Sequence, residues 1–380
     1  MQSLIASLLL LGSISLSAST QLENATCQKC HPKIFKEYEG SMHKNASIYN
    51  DTVHKAIWDL HPAKEKGKYN CAKCHTPADH DLVAGKTKLS KNDIQVKEPI
   101  SCLSCHQIES IEQHSKSNKN VMTKEPKTFF TADNEKKGTK LVYQDKTSFF
   151  GLFKTRIGSP FHDIDYSNEN YYDGQMCMGC HSHKQNANNF AICDLEVVEN
   201  EDSKETCITC HMPQERGSMV NHKDTKTHAY HGTTALKMKP VQLSKYIELT
   251  LEKQEKGFAI YVKNLANHTL VPHPLRLSKL KVSIERDGKM IALDTEEFIK
   301  VIGTEGKKSM PWLATEVLKD TLIKGFEKRE VIYEDILEKG DTLHVEFGYH
   351  IVNPNIADTL KITDKKLLKF VILKKQKFSL

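Results

Sequence analysis

Beyond residue 16 the chain has no apolar run approaching 18 residues, so no later segment is expected to cross a bilayer as a helix. Apolar residues are scarce in general. They make up 38% of the chain, and its 18 glycines raise the share only to about 43%, below the usual range. Disorder is one reading of that deficit, and the cysteines supply another. A one-sided charge is also missing: charged residues are 27% of the chain and of mixed sign, as on an ordinary soluble surface. With 380 residues the length favours two or three domains over one core.

Residues 4–16 are apolar and rich in small side chains, too short to span comfortably. With small residues at Ser15, Ser17 and Ser19, they read as a leader over residues 1–19, and hence an exported, periplasmic location. No Lys or Arg precedes the run, which is atypical, and an uncleaved anchor is the competing reading. No Cys lies nearby, which argues against a lipoprotein.

Cysteine itself is plentiful. Ten of the eleven fall in five identical frames: Cys27-Gln-Lys-Cys30-His31, Cys71-Ala-Lys-Cys74-His75, Cys102-Leu-Ser-Cys105-His106, Cys177-Met-Gly-Cys180-His181 and Cys207-Ile-Thr-Cys210-His211. Random placement would give about 0.016 such pentads, so chance is excluded. Two thiols three positions apart can add to the two vinyl groups of one haem, and the next residue then sets its imidazole under the iron. Zinc ribbons and disulfides also use paired cysteines, but neither requires a His after each pair. Five covalently bound haem c groups are therefore expected, with His31, His75, His106, His181 and His211 as proximal iron ligands. Buried macrocycles would also explain the shortage of apolar side chains. Cys193 has no partner left and reads as a buried, inert thiol.

The formal charge of +6 belongs to the bare polypeptide. Five haems would add about ten propionate charges, so the basic balance gives no support to nucleic-acid binding.

What fills each iron's second axial position decides between carrying electrons and catalysis. Fourteen histidines lie outside the motifs, enough for bis-His ligation throughout. The distal candidates are His43, His162, His228 (with His231 beside it), His268 and His61, while His54, His80, His114 and His222 are weaker. Met42 could compete with His43. No motif carries Lys in place of His.

The proximal histidines are separated by 44, 31, 75 and 30 residues. Residues 20–240 should form a haem-dense, mostly α or irregular cytochrome domain, with short helices over 34–38 and 51–60. The aromatic and β-branched stretches 128–131, 140–143 and 148–153 could make a hairpin excursion. From about 241 apolar residues alternate with polar ones: Ile247, Leu249, Leu251; Phe258, Ile260, Val262; Leu280, Val282, Ile284; Leu343, Val345, Phe347. Arg286-Asp287-Gly288-Lys289 is a hairpin turn signal, and 367–373 a last strand. An all-β, sandwich-like domain of roughly seven strands over 241–380 is expected, with the basic 374–377 stretch as a solvated tail.

At this level the chain resembles the multihaem cytochromes of the cytochrome c-554 type, relatives of hydroxylamine oxidoreductase and the pentahaem nitrite reductases. The likeness is carried by the first motif with Ser41-Met42-His43, by Ser159-Pro160-Phe161-His162 ahead of the fourth, and by the fifth with Met212-Pro213, His228 and Gly232. It implies that His43, His162 and His228 are distal ligands. The entrance to the β-domain loosely resembles a stretch found in exported multihaem cytochromes, with Asn264, Asn267, His268, Pro272 and Arg276 in place. Asn267 stands where Gly is usual, and His273-Pro274 where Thr-Gly is.

Three functions compete. The first is a periplasmic electron carrier between a quinol-linked donor or dehydrogenase and a terminal reductase. The second is an oxidoreductase acting on a small nitrogen or sulfur compound at one open iron, with Tyr171, Tyr172 and Arg156 as helpers. The third is a binding or scaffold role for the β-domain.

Overall fold

The structure, a computed structural model, describes residues 22–148, 153–199, 205–220, 226–235 and 240–380. The expected leader, residues 1–19, and His222 lie outside the described residues.

From residue 22 to 235 the secondary structure is short. The longest described helix here, Thr52–Leu60, has nine residues; Asp51 caps it by accepting from the Val53 and His54 amides. Pro32–Glu39 is the second helix read from the sequence, with Pro at its start, where a missing N–H costs nothing. Each Cys-x-x-Cys-His pentad forms only about one helical turn before the chain must leave it. Small sheets fill the gaps, so this part is less helical than expected. The hairpin excursion forms, but with other partners: Thr128–Phe130 runs parallel to Asp163–Asp165, which pairs antiparallel with Lys140–Leu141. Gln144–Ser148 pairs with Phe153–Ile157.

From Ile247 onward the chain is mostly β, interrupted by the short helical turns Pro354–Ile356 and Lys365–Leu368. Ile247–Lys253, Phe258–Asn264 and Lys328–Tyr333 make a three-stranded antiparallel sheet. A second sheet is centred on Leu277–Arg286 and Thr342–His350, flanked by Lys289–Ala292, Glu296–Phe298 and Phe370–Ser379. The alternation turns one face of each sheet inward. Leu249, Phe258, Ile260 and Val262 meet Leu280, Val282, Leu343, Val345 and Phe347 in one core. The turn at Asp287 and Gly288 has both residues at positive φ, +50° and +74°, which a two-residue hairpin needs. A third small sheet, Lys300–Thr304 with Lys307–Lys308 and Glu316–Asp320, completes this half.

One expectation is overturned at the C-terminus. The basic stretch is part of the strand Phe370–Ser379, with Lys374 opposite Phe347 and Lys377 opposite His344. Lys375 reaches Glu346 at 2.8 Å, so sheet pairing and cross-strand charge hold what composition alone presents as a tail.

At the far end of the hairpin, Arg286 grips Asp341 through Nε and Nη2, at 2.9 and 2.8 Å. The Asp341 side chain is only 2% exposed, and the guanidinium beside it lowers its pKa to about 2. A depressed carboxylate stabilises the fold above its unfolded value, and that contribution fades as pH falls through 2. Asp341→Asn is therefore expected to lower the unfolding midpoint at pH 5 to 7. The gap to the parent protein should close as pH approaches 2, measured by denaturation at several pH values.

The two halves touch. Leu275, Val352, Leu360 and Ile362 pack with Val53, Ala56 and Ile57 of the helix Thr52–Leu60. Val198 N–H donates to the Asn267 carbonyl at 2.7 Å, beside His268.

Candidate haem centres

Local capping sets the attachment turns. Ser101 and Ser104 bond reciprocally at the start of Cys102–His106, as do Thr206 and Thr209 at Cys207–His211. In the first two motifs the His N–H donates to the first Cys carbonyl, at 2.8 Å for His31 and 3.0 Å for His75. Each turn thus brings both thiols and the imidazole to one side.

Four of the five motif histidines have Nδ1 fixed by a backbone carbonyl. His31 donates to Met219 at 2.7 Å, His75 to Ala46 at 3.0 Å, His106 to Phe130 at 2.8 Å and His211 to Thr234 at 2.6 Å. A proton held at Nδ1 leaves the Nε2 lone pair for a metal and fixes the ring plane.

Opposite four motif histidines stands a second imidazole. Ring centres are 6.3 Å apart for His31 and His162, and 6.1 Å each for His43 and His181, His106 and His231, and His211 and His268. A metal–imidazole bond is about 2 Å long, so two rings on opposite sides of one metal have centres about 6 Å apart. The residues fit the group. Burial, reinforced by His181, pushes the His43 imidazole down to about 4; burial, reinforced by His106, pushes His231 down to about 3. Burial also lowers His106, His162, His181 and His268. All six are thereby held in the neutral, metal-binding form.

His75 is the exception. Its ring neighbour is His54, with centres 3.9 Å apart, too close to admit a metal between them. His54 Nδ1 donates to the same Ala46 carbonyl, and its Nε2 lies 3.2 Å from the Tyr69 hydroxyl. His54 therefore sits beside His75 and not across from it. Burial, with His54 next in weight, pushes His75 down to about 4.

Two candidates from the sequence stand elsewhere. Both ring nitrogens of buried His228 are engaged, by the Gly217 carbonyl and Glu37 Oε1, each at 2.9 Å, so neither faces a motif histidine. The other Glu37 oxygen takes the His231 amide at 2.9 Å, so this carboxylate sets the segment that presents His231. His61 Nδ1 accepts from Ala63 N–H at 3.0 Å, and its ring packs between Trp58 and Trp312. Spacing could not choose between His228 and His231, because the choice depends on Glu37, far away in the chain.

The motifs brace one another. Cys102 N–H donates to Asn24 Oδ1 at 2.9 Å, and the Cys27 and Cys102 sulfurs are close neighbours, as are those of Cys74 and Cys180. Tyr171 Oη donates to the Cys105 and Ile108 carbonyls, at 2.5 and 3.1 Å. Gly174, at φ +86°, abuts Cys207: a Cβ there would lie 2.7 Å from the Cys207 Cβ. Tyr171 is thus a brace; Tyr172 is held to the Tyr166 carbonyl at 2.8 Å, and exposed Arg156 pairs with Asp145 at 3.4 Å. Cys193 corrects its expectation: the residue is exposed, although crowding at the sulfur raises the thiol to about 11.

The interior tells the same story. Among the twelve largest fully buried side chains, only Gln95 precedes residue 247. The segment carrying all five motifs has little aliphatic core of its own. Unpartnered buried hydroxyls adjoin two motif histidines, Thr76 after His75 and Ser182 after His181.

Residues 26–107, which hold the first three motifs, match the family model described as cytochrome c554 and c-prime. The fold matches the crystal structure of a penta-heme cytochrome c552 from Thermochromatium tepidum with a TM-score of 0.68 and 18% identity, over 94% of this chain and 99% of that one. Residues 26–107 are thus similar to a cytochrome family, and the chain as a whole shares the fold of a multihaem protein. No curated protein matches the chain. No described helix is long and apolar enough to cross a membrane.

Proposed function

We propose that this protein is a multihaem c-type cytochrome, exported to the periplasm, that carries five haems and passes electrons between a quinol-linked donor or dehydrogenase and a terminal reductase. The observation that carries this reading is the set of four histidine pairs with ring centres 6.1 to 6.3 Å apart. Pairs such as His43 with His181 and His106 with His231 would hold a haem iron between two imidazoles, which would favour outer-sphere electron transfer over substrate binding. When bound, the haems supply one-electron redox chemistry; the polypeptide orients their ligands and sets their spacing. The carbonyls of Met219, Phe130 and Thr234 hold three motif rings in plane. Close cysteine neighbours join motifs one and three and motifs two and four, and Tyr171 and Gly174, just ahead of motif four, abut motifs three and five; haems held at these sites would lie near enough to pass electrons along.

A second reading gains support from His75, which has no imidazole across from it among the described residues. The second motif is where a small nitrogen or sulfur compound, or another small ligand, would reach an open iron. One measurement separates the two. In the oxidised holoprotein, magnetic resonance should count four low-spin haems and one high-spin haem, and one equivalent of carbon monoxide should bind on reduction. Five low-spin haems would leave a carrier alone; two or more high-spin haems would overturn the pairing scheme.

A further inference from the structure

A file of rings leads away from the second motif. From His75 it passes to His54 (3.9 Å between centres), Tyr69 (5.9 Å), Trp58 (5.0 Å), His61 (5.8 Å) and Trp312 (5.0 Å). No step exceeds 5.9 Å, and the file contains both tryptophans of the chain. Trp58 and Tyr69 are each 5% exposed, while Trp312 reaches partial exposure. Core packing accounts for Trp58 and Tyr69, which share a cluster with Ile48, Ala72 and Leu82. It does not account for Trp312, which the β-half sends in from between Lys307–Lys308 and Glu316–Asp320 to cover His61.

We propose that this file is a relay that carries oxidising equivalents from the haem at the second motif to the surface when peroxide reacts there. The inference rests on the open-iron reading given above. Indole and phenol are the side chains that give up an electron most readily, and three of them stand in sequence here. Reducing H2O2 to two waters consumes two electrons and two protons. In the fully oxidised protein, with no reduced haem to draw on, each electron moves inward from Trp312 through Trp58 and Tyr69. The Trp312 indole releases its proton to water, and a one-electron hydrogen donor AH of the ascorbate class restores it. The balance is H2O2 + 2 AH → 2 H2O + 2 A•. The Tyr69 hydroxyl, donating to His54 Nε2 at 3.2 Å, ties the inner end of the relay to the ring beside His75.

The test mixes fully oxidised, full-length holoprotein with H2O2 without reductant, freezes it at short times, and records magnetic resonance and haem bleaching. The parent protein should show a neutral, deprotonated indolyl radical. Trp312→Phe should lose that signal, keep an inner Trp or Tyr radical, and bleach faster; Trp312→Tyr should recover the protection. Trp58→Phe should confine the radical to Tyr69. Unchanged resting spectra would show that each variant keeps its haems. A high-spin haem that consumes peroxide with no Trp or Tyr radical, or with the same radical and bleaching in all variants, overturns the relay alone. A resting protein with no high-spin haem and no peroxide reaction overturns the open-iron reading and the relay with it.

Discussion

Replacing His231 with leucine is expected to convert one low-spin haem to high-spin, while His228→Leu leaves the spin count unchanged. The two residues are three apart, and either could serve on spacing alone. His231 faces His106 with centres 6.1 Å apart; His228 spends both nitrogens on Gly217 and Glu37. Removing His231 takes away a ligand that neither Glu37 nor His228 can replace without turning the segment. Removing His228 leaves Glu37 Oε1 without its partner in a mostly buried setting, so that variant should lose stability while keeping its ligands. Low-temperature magnetic resonance of the oxidised holoproteins checks both. A high-spin signal appearing in the His228 variant alone would reverse the assignment.

Phe347→Ala is expected to cost about 3–5 kcal/mol, the usual range for emptying a core aromatic site. Phe347 is fully buried between the two sheets, with the Phe298 ring 5.9 Å away, and the stiff strands on either side can collapse little into the space. The effect should extend beyond the β-half. His268 is presented from the segment that follows Phe258–Asn264, where Asn264 Nδ2 donates to its carbonyl at 2.8 Å. Loss of the sandwich should therefore withdraw the ring facing His211. Urea denaturation followed by far-ultraviolet circular dichroism and haem absorbance should show strand loss and a change at one haem at the same, lowered midpoint. A strand transition that leaves every haem band untouched would exclude His268 as a ligand.

The β-half also has a clear role in this arrangement. It contributes His268 opposite the fifth motif and Trp312 over His61, and Asn186 of the haem-bearing half is clamped by the Pro311 and Ala314 carbonyls at 2.9 and 2.7 Å.

The grouping of two cysteines and a histidine on each short turn was legible from residues alone. Two thiols and an imidazole within five positions act locally, and one helical turn is enough to assemble them, so no distant contact had to be known. The strands at Ile247, Phe258, Leu280 and Leu343 were legible for the same reason: alternation is a property of consecutive residues. Short helices capped by Asp51 and begun by Pro32 belong to that class too.

What faces each motif was decided elsewhere. His43, His162, His231 and His268 reach their partners across 138, 131, 125 and 57 positions of sequence, and only the folded chain closes such distances. Whether a histidine is free to bind iron depends on what its other nitrogen meets, and Glu37 settles that for the pair at 228 and 231. The exposure of Cys193, the strand formed by Lys374 to Lys377 and the ring file ending at Trp312 are likewise products of packing. Local sequence determined where the Cys-x-x-Cys-His turns form; long-range contact determined which imidazoles stand opposite them, because facing and stacking need atoms in register in space and not along the chain.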